Sequence, residues 1–107
     1  MRVDENRLTA AYLMASRKYG TLYVGSALDL LERVWRHKEG QGSRFTTKYG
    51  VKLLVWYEPF MLLSEARERE YEIKKWQRDW KTNLIERDNP NWDDLYWGLT
   101  GTTPLPR

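Results

Sequence analysis

Two short runs dictate how this chain begins to fold. Residues 10–16 and 21–24 stand on either side of Arg17-Lys18-Tyr19-Gly20, and the second run, Thr21-Leu22-Tyr23-Val24, is rich in β-favouring residues. The first run is too short to stand as a helix, so the pair predicts a tight hairpin. A four-residue loop from Arg17 to Gly20 sets Ser16 against Thr21, Met14 against Tyr23 and Tyr12 against Gly25. Tyr12 and Tyr23 then share a sheet face, whereas a three- or five-residue loop puts them on opposite faces, because side chains alternate with a period of two. Gly25-Ser26 ends the second strand, and Ser26 or Asp29 caps an amphipathic helix whose buried stripe is Leu30, Leu31 and Val34. Arg33 and His37, one turn apart, lie along one edge of that stripe and can reach a cleft at the margin of the sheet.

The rest of the chain supports this beginning. Gly40-Gln41-Gly42 stops the helix, and the polar, basic segment 43–50 is expected to be a surface loop holding one helical turn, with Arg44 and Lys48 free to touch phosphate. Leu53-Leu54-Val55-Trp56-Tyr57, ended by Pro59, predicts a third strand. From Ser64 onward Ala66, Ile73, Trp80 and Leu84 recur at helical spacing, with acids early and Lys74, Lys75, Arg78 and Lys81 later, as the macrodipole prefers. This long helix is expected to break near 81–83, with a last piece ending at Asn89-Pro90. The fold expected is α+β: a small, three-stranded, largely antiparallel sheet flanked by helices, in the order β-β-α-β-α, over residues 7–97. Flexible termini are expected at 1–6 and 100–107.

Composition narrows the chemistry. At 107 residues the chain is one domain by length and buries only about two-thirds of its unfolded surface. Six Trp and seven Tyr supply bulk that a small aliphatic core cannot. Without cysteine there are no disulfides, thiolate nucleophiles or cysteine-held zinc. With a single histidine, an intrinsic metal would rest mainly on oxygen ligands, which favours Mg²⁺ or Mn²⁺. No apolar run approaches the roughly 18 residues a membrane span needs, and the N-terminus lacks the apolar centre of a signal peptide. The expectation is a soluble, intracellular protein, cytoplasmic or associated with the nucleoid, with no membrane partner. The net charge of +3 argues weakly for nucleic acid, but its distribution argues more strongly. Six basic residues against one acid lie between Arg33 and Lys52.

Glu70 falls between Ala66 and Ile73 on the long helix, inside its apolar sector, where a carboxylate costs several kcal/mol unless paired or bound to metal. Spacing alone favours an ion pair, with Arg33 or a lysine. Read alone, Tyr12 and Tyr23 are hairpin tyrosines with buried rings, Arg33 and His37 are surface residues, and Asn89 before Pro90 is a helix-terminating turn.

In their order and spacing these residues resemble the GIY-YIG nuclease family. Tyr23-Val24-Gly25 matches the second half of its signature. Ala10-Ala11-Tyr12 keeps the tyrosine of the first half and lacks its glycine. Arg33 stands ten positions after Tyr23, with His37 a turn beyond. The likeness runs on through Lys48-Tyr49-Gly50-Val51, Glu70 before Ile73-Lys74-Lys75-Trp76, and Asn89-Pro90-Asn91-Trp92, covering roughly residues 12–96. The resemblance implies a single-domain endonuclease that hydrolyses DNA with one Mg²⁺, or Mn²⁺, held by Glu70, where the metal polarises the phosphate and steadies the leaving 3′ oxygen. It implies that Tyr12 and Tyr23 flank the attacking water, one of them acting as general base, and that Arg33 grips the scissile phosphate. His37 would assist proton transfer or contact phosphate, and Asn89 would brace the site or contact phosphate. Arg44, Lys48, Lys74, Lys75 and Trp76 are candidates for contact with the DNA backbone and for base stacking. DNA is the implied partner, with DNA shape or a partner protein supplying selectivity, in repair or processing. Two rivals stand beside this reading: an inactive nucleic-acid-binding module on the same scaffold, and a protein-interaction domain.

Phosphate contacts position without reading sequence. With about four to six of them, log K for duplex DNA should fall with log salt at a slope of roughly −4 to −5. Titrations of Glu70→Gln protein with several unrelated duplexes across a salt series check this; nanomolar, salt-insensitive binding to one sequence contradicts it.

Overall fold

The computed structural model describes residues 7–101. Its elements are β1 (Ala10–Ala15), β2 (Leu22–Ala27), α1 (Leu30–Lys38), α2 (Arg44–Tyr49), β3 (Leu53–Pro59), α3 (Leu63–Lys74), α4 (Arg78–Asp88) and α5 (Tyr96–Thr100). The strand, strand, helix, strand, helix order holds, with α4 as the piece after the helix break and α2 and α5 as further short helices. The three strands form one antiparallel sheet in the order β2-β1-β3. Of the termini expected to be flexible, 1–6 and 102–107 lie outside the described residues; Thr100 closes α5 and Gly101 caps it at φ 70°. No helix among the described residues is long and apolar enough to cross a membrane.

Every residue of β1 is buried, because β1 is the central strand and each of its faces carries a core. Ala11, Leu13 and Ala15 pack with Val24, Ile73, Leu84, Ile85 and Trp92 under α3 and α4. Ala10, Tyr12 and Met14 pack with Ala27, Leu30, Val34 and Tyr96 under α1 and α5. The hairpin register is the expected one: Tyr12 pairs with Gly25, Met14 with Tyr23, and the Ser16 amide donates to the Thr21 carbonyl at 3.0 Å. On the other side of β1 the register slips between Leu13 and Met14. The extra residue on β3 there is Val55, which lets Val55 and Trp56 face the same core in succession.

Two expectations are corrected. Segment 43–50 is a helix, α2, rather than a loop with one turn. Both of its ends are capped: the Ser43 side chain accepts from the Thr46 amide, and Gly50 takes the left-handed conformation at φ 62°. The long helix breaks at 75–77 rather than 81–83. The Lys75 and Trp76 amides close onto the Glu72 and Ile73 carbonyls at 3.2 and 3.0 Å, a tightened last turn. Gln77 then turns extended before α4. The apolar spacing hid the break because the turn redirects the chain while returning Leu84 and Ile85 to the core that Ile73 already fills. Trp80, counted in that stripe, points outward and is 58% exposed.

One close approach joins this fold to its site. A Cβ on Gly25 would lie 2.6 Å from both Cζ and Oη of Tyr12, so the Tyr12 ring lies across the glycine and its hydroxyl reaches the edge strand β2. Gly25→Ala should therefore cost about 1–3 kcal/mol in urea unfolding, and much less in a Tyr12→Val background. Equal costs in both backgrounds would show that the ring does not occupy this place.

Candidate active site

The Tyr12 hydroxyl meets the last turn of α1. Asp29 starts that helix by accepting from the Glu32 amide, and His37 follows Leu30 and Val34 on the buried stripe. The sequence placed His37 on the edge of the stripe; it is in fact 3% exposed. Its Nε2 lies 3.2 Å from the Tyr12 hydroxyl and its Nδ1 lies 3.1 Å from the Thr46 hydroxyl of α2. The Thr46 hydroxyl in turn donates to the Ser43 carbonyl at 3.1 Å. If that proton stays on the Ser43 carbonyl, Thr46 accepts from Nδ1–H and the lone pair of Nε2 faces the Tyr12 O–H. Gly42 makes this approach possible, since a Cβ there would stand 2.3 Å from Nδ1 and 2.7 Å from Thr46 Oγ1.

Burial, then the Arg33 guanidinium, pushes the His37 pKa down to about 4, so the imidazole is neutral across the physiological range. Burial also raises the Tyr12 pKa well above that of a free phenol, and Tyr23 and the Glu70 charge add to the rise. The Arg33 guanidinium, within hydrogen-bonding reach, works against it. Tyr12 is 0% exposed. Tyr23 is half-buried, and its ring stands 5.3 Å edge-on from His37 and 6.2 Å from Tyr12. Tyr23, Arg33, Arg36, His37, Gln41, Gly42 and Ser43 line a cavity of about 290 Å³, behind which Tyr12 sits. Arg36 is paired with Glu32, whereas Arg33 has no carboxylate partner among the described residues. Its charge is available to a ligand.

Glu70 reaches the same sheet edge from the other face and does not line that cavity. Ser26, opposite Ala11 in the β1–β2 register, faces α3, and its hydroxyl donates to Glu70 Oε1 at 2.5 Å. Lys74, one turn along α3, pairs with Oε2 at 2.5 Å. The ion pair that spacing alone favoured is thus present, with Lys74 as the partner. The carboxylate side chain keeps 19% exposure and the lysine 52%, so the lysine can leave at small cost. Among the described residues no three His, Asp or Glu gather as a ready-made cation cage. A single carboxylate is enough for a divalent cation that completes its shell with water and substrate oxygens.

The remaining predicted contacts divide. Arg44 and Lys48 are exposed on α2 and have no carboxylate partner among the described residues. Asn89 is buried and fully used as a brace: its amide donates to the Val55 and Asp93 carbonyls at 3.0 and 2.9 Å, and its oxygen accepts from the Asp93 amide at 3.0 Å. That leaves it no free group for phosphate. Sequence reasoning missed Thr46, Ser26 and Gly42. The Ser43-to-Thr46 capping spacing was the one available signal for Thr46. Nothing local marks Ser26, whose partner lies 44 positions away.

A family model described as the GIY-YIG catalytic domain matches residues 9–83. The UPF0213 protein SSP2268 of Staphylococcus saprophyticus is 44% identical over 68 residues, which span 64% of this chain and 83% of that protein. A UPF0213 protein of Staphylococcus aureus is 43% identical over 67 residues, 63% of this chain and 82% of that protein. The solution NMR structure of the UPF0213 protein BH0048 from Bacillus halodurans superposes with a TM-score of 0.50 at 27% identity, covering 89% of this chain and 98% of that one.

The lowered His37 pKa makes a stability prediction. Above about pH 6.5 the imidazole is neutral in both the folded and unfolded states. Between 6.5 and about 4 the unfolded chain takes a proton that the folded chain refuses, so stability falls by about 1.4 kcal/mol per pH unit, some 3 kcal/mol in all, and levels off below. The difference in unfolding free energy between the parent and His37→Gln should shrink by about that amount from pH 7 to pH 4. A difference that does not change with pH contradicts the burial of a neutral His37.

Proposed function

The chain belongs to the GIY-YIG family, generally one of endonucleases, and from that membership we propose that it hydrolyses phosphodiester bonds in DNA with a divalent metal. The observation that carries the reading is the hydrogen bond between the Tyr12 hydroxyl and Nε2 of a neutral His37, beside an arginine with no carboxylate partner among the described residues. Water needs a proton acceptor to attack phosphorus, and a phenol of raised pKa is a poor one on its own. The His37 contact gives the phenol proton a place to go, although an imidazole of pKa about 4 is itself a weak base. Tyr12 takes the proton of water while passing its own to Nε2, and need never exist as a free phenolate.

Arg33 links binding to this step. In the free protein the guanidinium lies near the Tyr12 hydroxyl and depresses the His37 pKa. Drawn to a phosphate, it grips two oxygens, uncovers the hydroxyl and relieves one of the two causes that keep His37 weakly basic. Tyr23 forms the wall against which the attacking water is held. Glu70 would hold Mg²⁺ or Mn²⁺, which supplies positive charge for the phosphate and the leaving oxygen. The new oxygen–phosphorus bond forms as the bond to the 3′ oxygen breaks; that oxygen is protonated from solvent, leaving 5′-phosphate and 3′-hydroxyl ends. Selectivity would come from DNA shape or from a partner protein, in repair or processing.

Incubation with Mg²⁺ or Mn²⁺ and duplex, single-stranded, flap and branched DNAs tests the activity. Tyr12→Phe and His37→Gln should each slow cleavage by about a hundredfold or more with DNA binding nearly unchanged, and the double variant should be no slower than either. Additive losses would break the proton path. Glu70→Gln keeps an oxygen for Ser26 and should abolish cleavage while shifting stability by less than about 1 kcal/mol. Normal cleavage by that variant would leave Glu70 as no more than the partner of Lys74.

A further inference from the structure

Outside the cavity, the aromatic rings do not end at Tyr23. The Phe45 ring lies 6.5 Å from that of Tyr23, and the Tyr49 ring lies 5.0 Å from that of Phe45. Exposure rises along this row, from 0% at Tyr12 to 44% at Phe45 and 47% at Tyr49. Scattered exposed aromatics are ordinary. A contiguous row that continues the wall of a candidate active site is not scattered.

Helix α2 holds the row in place. Phe45 and Tyr49 are four residues apart and share one exposed face, while Thr46 is buried and holds His37. The same short helix therefore fixes the distance between the outer rings and the proton-handling pair. Its surroundings suit one kind of occupant. From Gly40 to Tyr57 the chain has no Asp or Glu, and Arg44 and Lys48 flank the rings without carboxylate partners among the described residues. Lys48 lies 5.3 Å from the centre of the Tyr49 ring and covers one of its faces, which leaves Phe45 the more open ring.

We propose that Phe45, assisted by Tyr49, is a stacking subsite for an unpaired nucleobase flanking the phosphate held by Arg33. The inference rests on the nuclease reading and deepens it by naming what lies beside the scissile bond. Arg44 and Lys48 take the backbone phosphates, and the rings take a base face. A base inside a duplex has both faces covered by its neighbours, so only an unpaired or extruded base can use the subsite. Phe45 has no hydrogen-bonding group, so the subsite selects for an available base rather than for its identity.

The test measures binding of the full chain carrying Glu70→Gln, which prevents cleavage, to a single-stranded oligonucleotide, the same strand with abasic positions, and its paired duplex. Adding Phe45→Ala should weaken single-strand binding by about fivefold to a hundredfold, with duplex binding changed by less than about twofold. Abasic substitution should cost the parent a similar factor and cost the Phe45→Ala protein little more. Phe45→Leu, which keeps an apolar contact with Tyr23 but has no ring, should behave as Phe45→Ala does, and Phe45→Trp should restore affinity. Equal losses on single strand and duplex, or no loss on either, overturn the subsite while the nuclease reading stands. If the Glu70→Gln parent binds no DNA in any form, both readings fall and the row belongs to a protein partner.

Discussion

The Tyr12 ring can cross β2 only because position 25 has no side chain. That one approach organises the site. The ring fills the core between the sheet and α1 and carries its hydroxyl to the sheet edge, where His37 meets it. Thr46 of α2 then fixes the far side of the imidazole. A single line of hydrogen bonds therefore ties β1, the end of α1 and the start of α2 together. In the proposed mechanism the same line is the path of the proton. Loss of the glycine, the phenol or the imidazole would disturb packing and chemistry together, because the groups that shape the core are also the groups that would handle the proton.

The cations of the chain divide by what holds them. Lys38 is nearly enclosed: it pairs with Asp94, donates to the Lys52 carbonyl at 2.9 Å and lies 5.2 Å from the ring centres of Tyr96 and Trp97. It fastens the end of α1 to β3 and α5. Arg69 similarly joins α3 to Glu58 at the end of β3. Arg33, Arg44 and Lys48 have no carboxylate partner among the described residues; Arg33 of α1 lines the cavity, and Arg44 and Lys48 are exposed on the neighbouring α2. A net charge of +3 understates this arrangement. What matters for a phosphate is the unpaired charge on one face, not the total. Lys74 is intermediate, since its pairing with Glu70 is exposed enough to be exchanged for another cation.

Much of this was legible from the residues. The hairpin register followed from the four-residue turn, because with a period of two only an even count keeps Tyr12 and Tyr23 together. Asp29 was one of two cap candidates, with Ser26 the other, and the position of Arg33 on α1 followed from helical periodicity. What could not be read depended on tertiary partners. The burial of His37 requires α2 to fold back over it, and α2 was expected to be mostly loop. Ser26 has no local mark of its contact with Glu70, and the break at 75–77 was masked by apolar residues that return to the same core after the turn. Asn89 could be read as a turn residue, yet its three bonds to Val55 and Asp93 appear only once β3 and the last turn of α4 are side by side.

The account stands on a neutral His37 whose Nδ1 carries the proton and whose Nε2 faces the Tyr12 hydroxyl. Nitrogen-15 NMR of the imidazole in the full chain at neutral pH reads this directly, because protonated and bare ring nitrogens resonate far apart. The predicted spectrum has a protonated Nδ1 and an unprotonated Nε2 that becomes protonated only near pH 4. An Nε2–H tautomer, or an imidazolium at neutral pH, would contradict the proton path from Tyr12.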